Sequence, residues 1–307
     1  MNSKVKIISN KKDWREKAVV ATIGFFDGVH PGHCFLLQEM KKMAGERGLP
    51  TAIITFAVHP RVVLQSDYQP KLLNSLDEKL DLLSKTGVDY IIVMDFTPAL
   101  ADLTAREFIS TVLVPVWHVN TLLIGYDHHF GRRREEEGEQ FIADGMYDGL
   151  EVVNVAAHSS DKGIAVSSSM IRRLIEAGDV ATVTRLLGYH YRLKGHVVNG
   201  RRLGRRLGFP TANIAVDEKF KVLPRNGSYA VRITVDGKKY KGMAYIGSRP
   251  TVSADDVLSI EANIFDFSDD IYDESIIVEF VDFIRGEMKF DSLEELRKQI
   301  EADKRKV

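Results

Sequence analysis

One cysteine, Cys34, stands in 307 residues. An internal disulfide and a cysteine-rich zinc site are therefore excluded, and the chain suits a reducing compartment. Net charge is equally scarce: 42 Lys and Arg face 43 Asp and Glu. No global field draws such a chain to nucleic acid or to an anionic membrane, so any phosphate binding has to come from local sites. Long apolar runs are missing as well. None approaches the ~18 residues of a membrane span, and the opening MNSKVKIISNKKDW lacks the apolar core of a signal peptide. The expectation is a soluble, cytoplasmic protein without nucleic-acid or membrane partners; nothing in the sequence bars a homo-oligomer.

What is present is an ordinary globular composition, 28% charged and 44% hydrophobic, in a chain long enough for two domains that each bury a core unaided. The two halves have different patterns. From Val19 to Gly188, β-branched runs alternate with helix-like segments, which predicts an α/β domain with a parallel sheet. The predicted strands are Val19–Phe25, Thr51–Phe56, Tyr90–Phe96, Thr121–Gly125 and Glu151–Ala156. Helical patterns cover Leu76–Lys85, Ala105–Val114 and Ser168–Leu187, the last ending at Gly188 as a C-cap.

Beyond Tyr189, strands follow one another through short turns. Tyr229, Val231, Ile233 and Val235 alternate with Ala230, Arg232 and Thr234, and Asp236-Gly237 turns at once into Lys239–Tyr245, an antiparallel hairpin. Further runs at Ser259–Phe267 and Ser275–Phe283 predict a small antiparallel β-barrel or sandwich. A terminal helix closes the chain, with Ser292 and Glu295 as a capping box and Leu293, Leu296 and Ile300 as its buried stripe. The domains are expected at 1–187 and 188–307, with no low-complexity linker.

Two stretches carry chemistry. Gly24-Phe25-Phe26-Asp27-Gly28-Val29-His30-Pro31-Gly32-His33 follows the first predicted strand and precedes an apolar helix beginning near Cys34. Open parallel sheets bind ligands at such a place. The glycines let backbone N–H groups approach phosphate oxygens, and the helix adds the positive end of its dipole. His30 and His33, three residues apart, would face one ligand and stabilise charge spreading over a phosphorus under attack. They could instead be polar residues at a helix start, or metal ligands with His59, His128 or His129. Cys34 cannot pair with its helical neighbour His33 as a nucleophile and reads as a packed thiol. Farther on, Ser167, Ser168 and Ser169 open a helix with Arg172 one turn in, which suits either N-capping or phosphate binding. The run Arg132, Arg133, Arg134, Glu135, Glu136 and Glu137 reads as a solvated charge run.

The second stretch runs from Gly195 to Asn213. Gly200, Gly204 and Gly208 lie among Arg201, Arg202, Arg205 and Arg206 and lead through Pro210 into a strand that presents Thr211 and Asn213 on one face. This is the pattern of a phosphate-binding loop, and the two neutral oxygens suit a magnesium ion held mainly by nucleotide phosphates. Arginines binding water or RNA are the alternative.

The first stretch matches without exception the pattern Gly-x-Phe-Asp-Gly-Val-His-x-Gly-His, and in this the chain resembles the bacterial bifunctional riboflavin kinase/FMN adenylyltransferases. The likeness continues through Thr55–Pro60, Gly125–Gly131, Ser167–Arg172, Pro210-Thr211-Ala212-Asn213, Gly242–Gly247, Arg249-Pro250-Thr251, Asp266-Phe267, Tyr272 and Phe290. It implies a Rossmann-like nucleotidyltransferase domain that adenylylates FMN to FAD with release of pyrophosphate. It also implies a barrel domain that phosphorylates riboflavin to FMN, both with ATP and Mg2+. Single surviving activity and a flavin-binding regulator are the rival expectations.

By the same resemblance, Gly24, Phe25, Phe26, Asp27, Gly28, His30 and His33 hold ATP, with Ser167, Ser168, Ser169 and Arg172 on its phosphates. Asp127 and Phe130 would contact flavin. In the barrel, Gly204, Gly208 and Pro210 border the nucleotide, Thr211 and Asn213 bind its magnesium, Glu261 is the catalytic base, and Arg285 contacts the FMN phosphate. The chain departs from the family's usual residues at Ser169 (commonly Thr), His128 (aromatic), Asn263 (His) and Gly286 (Pro).

Overall fold

Valine, isoleucine and threonine fill the short runs of the first half, and their stiff, branched side chains suit strands buried on both faces. The computed structural model describes residues 5–65, 67–125, 145–156, 166–200, 208–249 and 257–307. By contacts the chain forms two units, Met1–Ser168 and Ser169–Val307.

In the first unit the strands are β1 (Lys6–Ile8), β2 (Val19–Ile23), β3 (Thr51–Phe56), β4 (Tyr90–Met94), β5 (Val119–Gly125), β6 (Gly145–Tyr147) and β7 (Leu150–Val155). They form one sheet in the order β1-β4-β3-β2-β5-β7-β6, parallel except where β6 returns along β7. The helices are α1 (Pro31–Arg47), α2 (Pro60–Leu64), α3 (Leu76–Ser84), α4 (Pro98–Ala101), α5 (Ala105–Phe108) and α6 (Val114–Trp117). Alternate strand residues feed two buried clusters. Val20, Ile53, Ile91 and Leu123 pack with Leu37 and Met40 of α1, while Ala21, Ile54, Ile92 and Leu122 pack with Phe108, Leu113 and Trp117. The chain steps outward from β2 to β3 to β4 and then returns to place β5 on the other side of β2. That reversal is a topological switch point, and the crevice for a ligand lies at the carboxyl end of β2.

The α/β prediction holds, with differences at the ends. β2 and β4 stop two residues early, and β5 begins two residues early at Val119. The helix predicted over Ala105–Val114 widens into a π turn at Ile109–Leu113 and continues to Trp117. Pro115 lies in the first turn of α6, and the wider turn before it accommodates a residue without an N–H. The edge strands β1 and β6, three residues each, are too short to show a period.

Into the second unit lead α7 (Ser168–Ala177) and α8 (Val180–Leu187). The single helix expected over Ser168–Leu187 is therefore corrected to two. Gly178 turns at φ 83°, and Asp179 caps α8 by accepting from the Thr182 N–H at 3.1 Å. Gly188 ends α8 in the left-handed conformation, as predicted.

The strands β8 (Arg192–Val198), β9 (Ala212–Val216), β10 (Gly227–Val235), β11 (Lys238–Arg249), β12 (Val257–Ile264) and β13 (Ser275–Arg285) close into an antiparallel barrel, in the order β10-β11-β12-β9-β8-β13. Closure decides between barrel and sandwich. Val235 pairs with Lys238 across the Asp236-Gly237 turn, where both residues take positive φ, the geometry that the strand twist favours in a two-residue hairpin. Tyr229, Val231, Ile233, Ala244, Ile246, Ile260, Ala262, Val278 and Phe280 are buried at alternate strand positions.

The terminal helix α9 (Leu293–Lys304) is capped by Ser292, which accepts from the Glu295 N–H at 3.2 Å. The Glu295 carboxylate reaches the N–H of Asp291 rather than that of Ser292, so the expected box is only half formed. Leu293 is also corrected: it is 54% exposed. The helix is instead held by Asp303, which is buried against Arg285 at 2.7 Å.

Candidate active sites

The first candidate site is the turn from β2 into α1. Phe26 (φ 55°), Gly28 (84°) and Val29 (39°) all take positive φ. For the β-branched Val29 this conformation costs on the order of 1–3 kcal/mol and persists only where the surroundings enforce it. The enforcement is visible. The Asp27 carboxylate, 4% exposed, accepts from the N–H groups of Leu73 (3.0 Å) and Asn74 (3.1 Å). The Asn74 side chain in turn accepts from the Gly28 N–H at 2.9 Å. A Cβ on Gly28 would stand 2.7 Å from the Leu73 side chain. Ser168 adds another tie by donating its hydroxyl to the Asp27 carbonyl at 2.8 Å.

α1 starts at Pro31, three residues earlier than expected, with His30 at the N-cap position but not capping through its side chain. Proline suits that first position because its missing N–H would have no helical partner there. The imidazoles of His30 and His33 stack with centroids 3.7 Å apart and planes at 20°, and Phe26 meets His33 edge to face at 5.1 Å. Gly32 makes room for the stack, since a Cβ there would lie 3.2 Å from the His30 ring. Both histidines thus share one face, as their spacing predicted. His59 turns elsewhere: its ring nitrogen accepts from the Arg61 N–H at 3.2 Å and its ring lies 4.7 Å from that of Phe25. The Cys34 thiol points to the Val29 carbonyl at 3.6 Å, and burial pushes its pKa up, as suits a packed thiol.

A cation absent from the predicted set lies beside Phe25. Lys79, on α3, is 2% exposed, donates to the Phe56 carbonyl at 2.9 Å and stands 3.9 Å from the Phe25 ring centroid. Burial pushes its pKa down to about 8, against an opposing pull from Asp27. The sequence did carry a signal: Lys79 falls on the stripe of Leu76 and Leu83 at helical spacing, an apolar position occupied by a charge. Asn74 had no such marker.

Of the other predicted residues, Ser167 is exposed. Ser169 and Arg172 lie on α7 and belong to the second unit, Arg172 being half-buried. Asp127, His128 and Phe130 lie outside the described residues.

The second candidate site is on the barrel. Register places Glu261 of β12 between Asn213 of β9 and Tyr245 of β11. Thr211, just before β9, donates its hydroxyl to the Glu261 carboxylate at 3.1 Å, so Thr211, Asn213 and Glu261 lie together. Gly200 runs close over Asn213, whose amide occupies the space a Cβ would need. Gly208 takes φ 84° and leads to Pro210; Gly204 and the four arginines lie outside the described residues. Asn263 donates to the Pro210 carbonyl at 2.7 Å, so this departure braces the turn that carries Thr211.

Tyr245 was not foreseen. Its hydroxyl donates to Glu287 at 3.0 Å, and burial together with that carboxylate pushes it up to about 12. Gly247 leaves the space its ring fills. Arg285 is engaged by Asp303 and by the Gly286 carbonyl at 3.0 Å. Its guanidinium therefore fastens α9 to β13.

Among the described residues no cluster of three or more His, Cys, Asp or Glu side chains is placed to hold a metal. The neutral oxygens of Thr211 and Asn213, with one carboxylate beside them, fit an ion whose other ligands are phosphates and water.

Comparison with known proteins bears on both sites. The FAD synthetase family model matches residues 12–170 and the riboflavin kinase model matches residues 187–307. The chain is 39% identical over 294 residues to the bifunctional riboflavin kinase/FMN adenylyltransferase of Listeria monocytogenes, covering 95% of this chain and 92% of that one. The Escherichia coli protein of the same name is 36% identical over 300 residues, covering 97% and 95%. Among solved structures, one titled as a macrolide-efflux protein from Streptococcus pneumoniae superposes with a TM-score of 0.83 at 32% identity, covering 99% of this chain and 98% of that one. Among the described residues of this chain, no helix is long and apolar enough to cross a membrane.

Proposed function

The chain belongs to the bifunctional riboflavin kinase/FMN adenylyltransferase family, and on that premise we propose which of its residues carry each reaction. Residues 188–307 convert riboflavin and ATP to FMN and ADP. Residues 1–187 convert FMN and ATP to FAD and pyrophosphate. The observation that carries the assignment is the presence of two differently equipped sites, each inside the stretch matched by the corresponding family model.

In the barrel, the reacting group of riboflavin is a ribityl hydroxyl that has to lose a proton as it attacks the γ-phosphorus. Glu261 is the acceptor, oriented by the Thr211 hydroxyl it already engages. Thr211 and Asn213 would hold magnesium, which supplies charge neutralisation on the transferring phosphoryl group. Gly204, Gly208 and Pro210 border the triphosphate. Asn263 positions Thr211 through Pro210. Arg285, held by Asp303 and the Gly286 carbonyl, contacts the FMN phosphate through its remaining N–H groups.

In the first unit, the FMN phosphate arrives ionised and needs no base. Gly24, Phe25, Phe26 and Gly28 shape the bed for ATP, and Asp27 holds that bed rigid through Leu73 and Asn74. His30 and His33 donate to the oxygens of the α-phosphorus as charge accumulates on them. Ser167 and Ser168, at the start of α7, receive the departing pyrophosphate. Asp127 and Phe130 contact the flavin. A cytoplasmic location belongs to the same proposal, in keeping with a chain whose single cysteine leaves no internal disulfide to form.

The test is a product assay with riboflavin, ATP and Mg2+, resolved by chromatography. FMN should appear first and FAD after it. Formation of neither would refute the assignment, and formation of FMN alone would remove its adenylyltransferase half.

A further inference from the structure

A lysine that enters a core ordinarily leads its ammonium back to water along its own stem, because an ion loses several kcal/mol of hydration on burial. Lys79 does not. At 2% exposure its head is fixed between the Phe56 carbonyl, 2.9 Å away, and the Phe25 ring, 3.9 Å from the centroid. Phe56 is the last residue of β3 and Phe25 the second residue beyond the end of β2. One cation thus ties together the carboxyl ends of two adjacent central strands, where the sheet takes its ligand.

The groups around Lys79 leave its charge uncancelled by any dedicated ion pair among the described residues. Asp27 acts on it from the loop after β2, but both carboxylate oxygens of Asp27 accept from backbone N–H groups. Glu78, its neighbour on α3, accepts from the Ser75 N–H at 2.9 Å. His59 meets the same Phe25 ring at 4.7 Å. Methionine would fill a similar volume without the cost of desolvation. A buried positive charge at this crevice is useful when a polyanion binds over it in a site that excludes water, where charge interactions strengthen.

Building on the assignment of adenylyl transfer to this unit, we propose that Lys79 is a positioning residue for that reaction. It holds the Phe25 ring and the end of β3 from beneath and favours, through its charge, the bound triphosphate. Burial pushes the ammonium down to about 8, so ATP capture weakens as the pH rises past that value.

The test measures kcat and KM for ATP in FAD formation from FMN, between pH 6.5 and 9.5, on the full-length protein and on Lys79→Met and Lys79→Arg. FMN formation from riboflavin is followed in the same preparations. In the unaltered protein kcat/KM should fall above about pH 8, as expected when the free enzyme loses a needed proton. Lys79→Met should lose about tenfold or more at pH 7, chiefly in KM for ATP, and show no such alkaline limb. Lys79→Arg should recover most of the loss and also lack the limb, because guanidinium stays charged. FMN formation should not change in either.

An alkaline limb that persists in Lys79→Met, or a Lys79→Met protein with unaltered kcat/KM, overturns the proposal. Should Lys79→Met fail to fold, Lys79→Arg decides: loss of the limb supports the role and its persistence defeats it. Absence of FAD formation in the unaltered protein would instead bring down the adenylyltransferase assignment beneath it.

Discussion

The first unit offers its candidate site donors and cations, whereas the second offers a carboxylate. Among the described residues near β2, His30, His33 and Lys79 lie by the turn, and the Asp27 carboxylate accepts from the amides of Leu73 and Asn74. On the barrel the central group is Glu261, with a hydroxyl and an amide on either side. The proposed division of the two reactions accounts for the difference. A phosphate monoester comes already charged, so the site has only to absorb charge at the phosphorus; a sugar hydroxyl has to be relieved of a proton, so the site must contain a base. The scaffolds differ in the same sense. His30 and His33 follow a strained loop that is latched from several sides, and the Glu261 carboxylate sits on a strand whose register places it between Asn213 and Tyr245.

That contrast breaks most sharply by substitution. Glu261→Ala should lower FMN formation by about three orders of magnitude, the range lost with a general base, and leave FAD formation from supplied FMN unchanged. His30→Ala should do the converse, cutting FAD formation by roughly two to three orders of magnitude as loss of a transition-state donor does. Chromatographic rates with each flavin supplied separately check both, and equal loss of both activities in either variant would contradict the division of labour.

Stability probes sharpen the comparison of scaffolds. Asp303→Ala leaves the part-buried Arg285 guanidinium without its carboxylate partner and should cost the barrel about 3 kcal/mol, seen as a lowered melting transition. A smaller and opposite signal is expected from Lys79. Its pKa is depressed by burial to about 8, so between that pH and the ordinary lysine value the unfolded chain binds more protons than the folded one. Stability therefore rises with pH across this window, by on the order of 2–3 kcal/mol. The difference in denaturant midpoint between the unaltered protein and Lys79→Met should move in favour of the former from pH 8 to 10. A constant difference would mean that Lys79 is not a buried charge.

Much of this was legible beforehand because the informative residues are local. The turn glycines with His30 and His33, the Asp236-Gly237 hairpin and the Gly188 cap all declare themselves within a few positions. Thr211 and Asn213 were placed on one face by the period of a strand alone. What escaped was set by distant contacts. Leu293 and Ser292 looked like an ordinary amphipathic start, but α9 is held by an ion pair from β13 that no local pattern announces. Ser168–Leu187 reads as one helix until Gly178 and Asp179 are weighed as a stop and a new cap. Asp27 resembled a ligand-facing acid, while its 3.0 Å bond to the Leu73 N–H spans 46 positions. Tyr245 and Asn263 acquire meaning only from the registers that bring them beside Glu261 and Pro210.

The central claim, that two separate sites act in succession through a flavin intermediate, is tested most directly by mixing the variants. Supplied with riboflavin, ATP and Mg2+, Glu261→Ala alone should make neither product and His30→Ala alone should stop at FMN. An equal mixture of the two should make FAD. A mixture that makes FMN but no FAD, although Glu261→Ala still converts supplied FMN, would contradict the account.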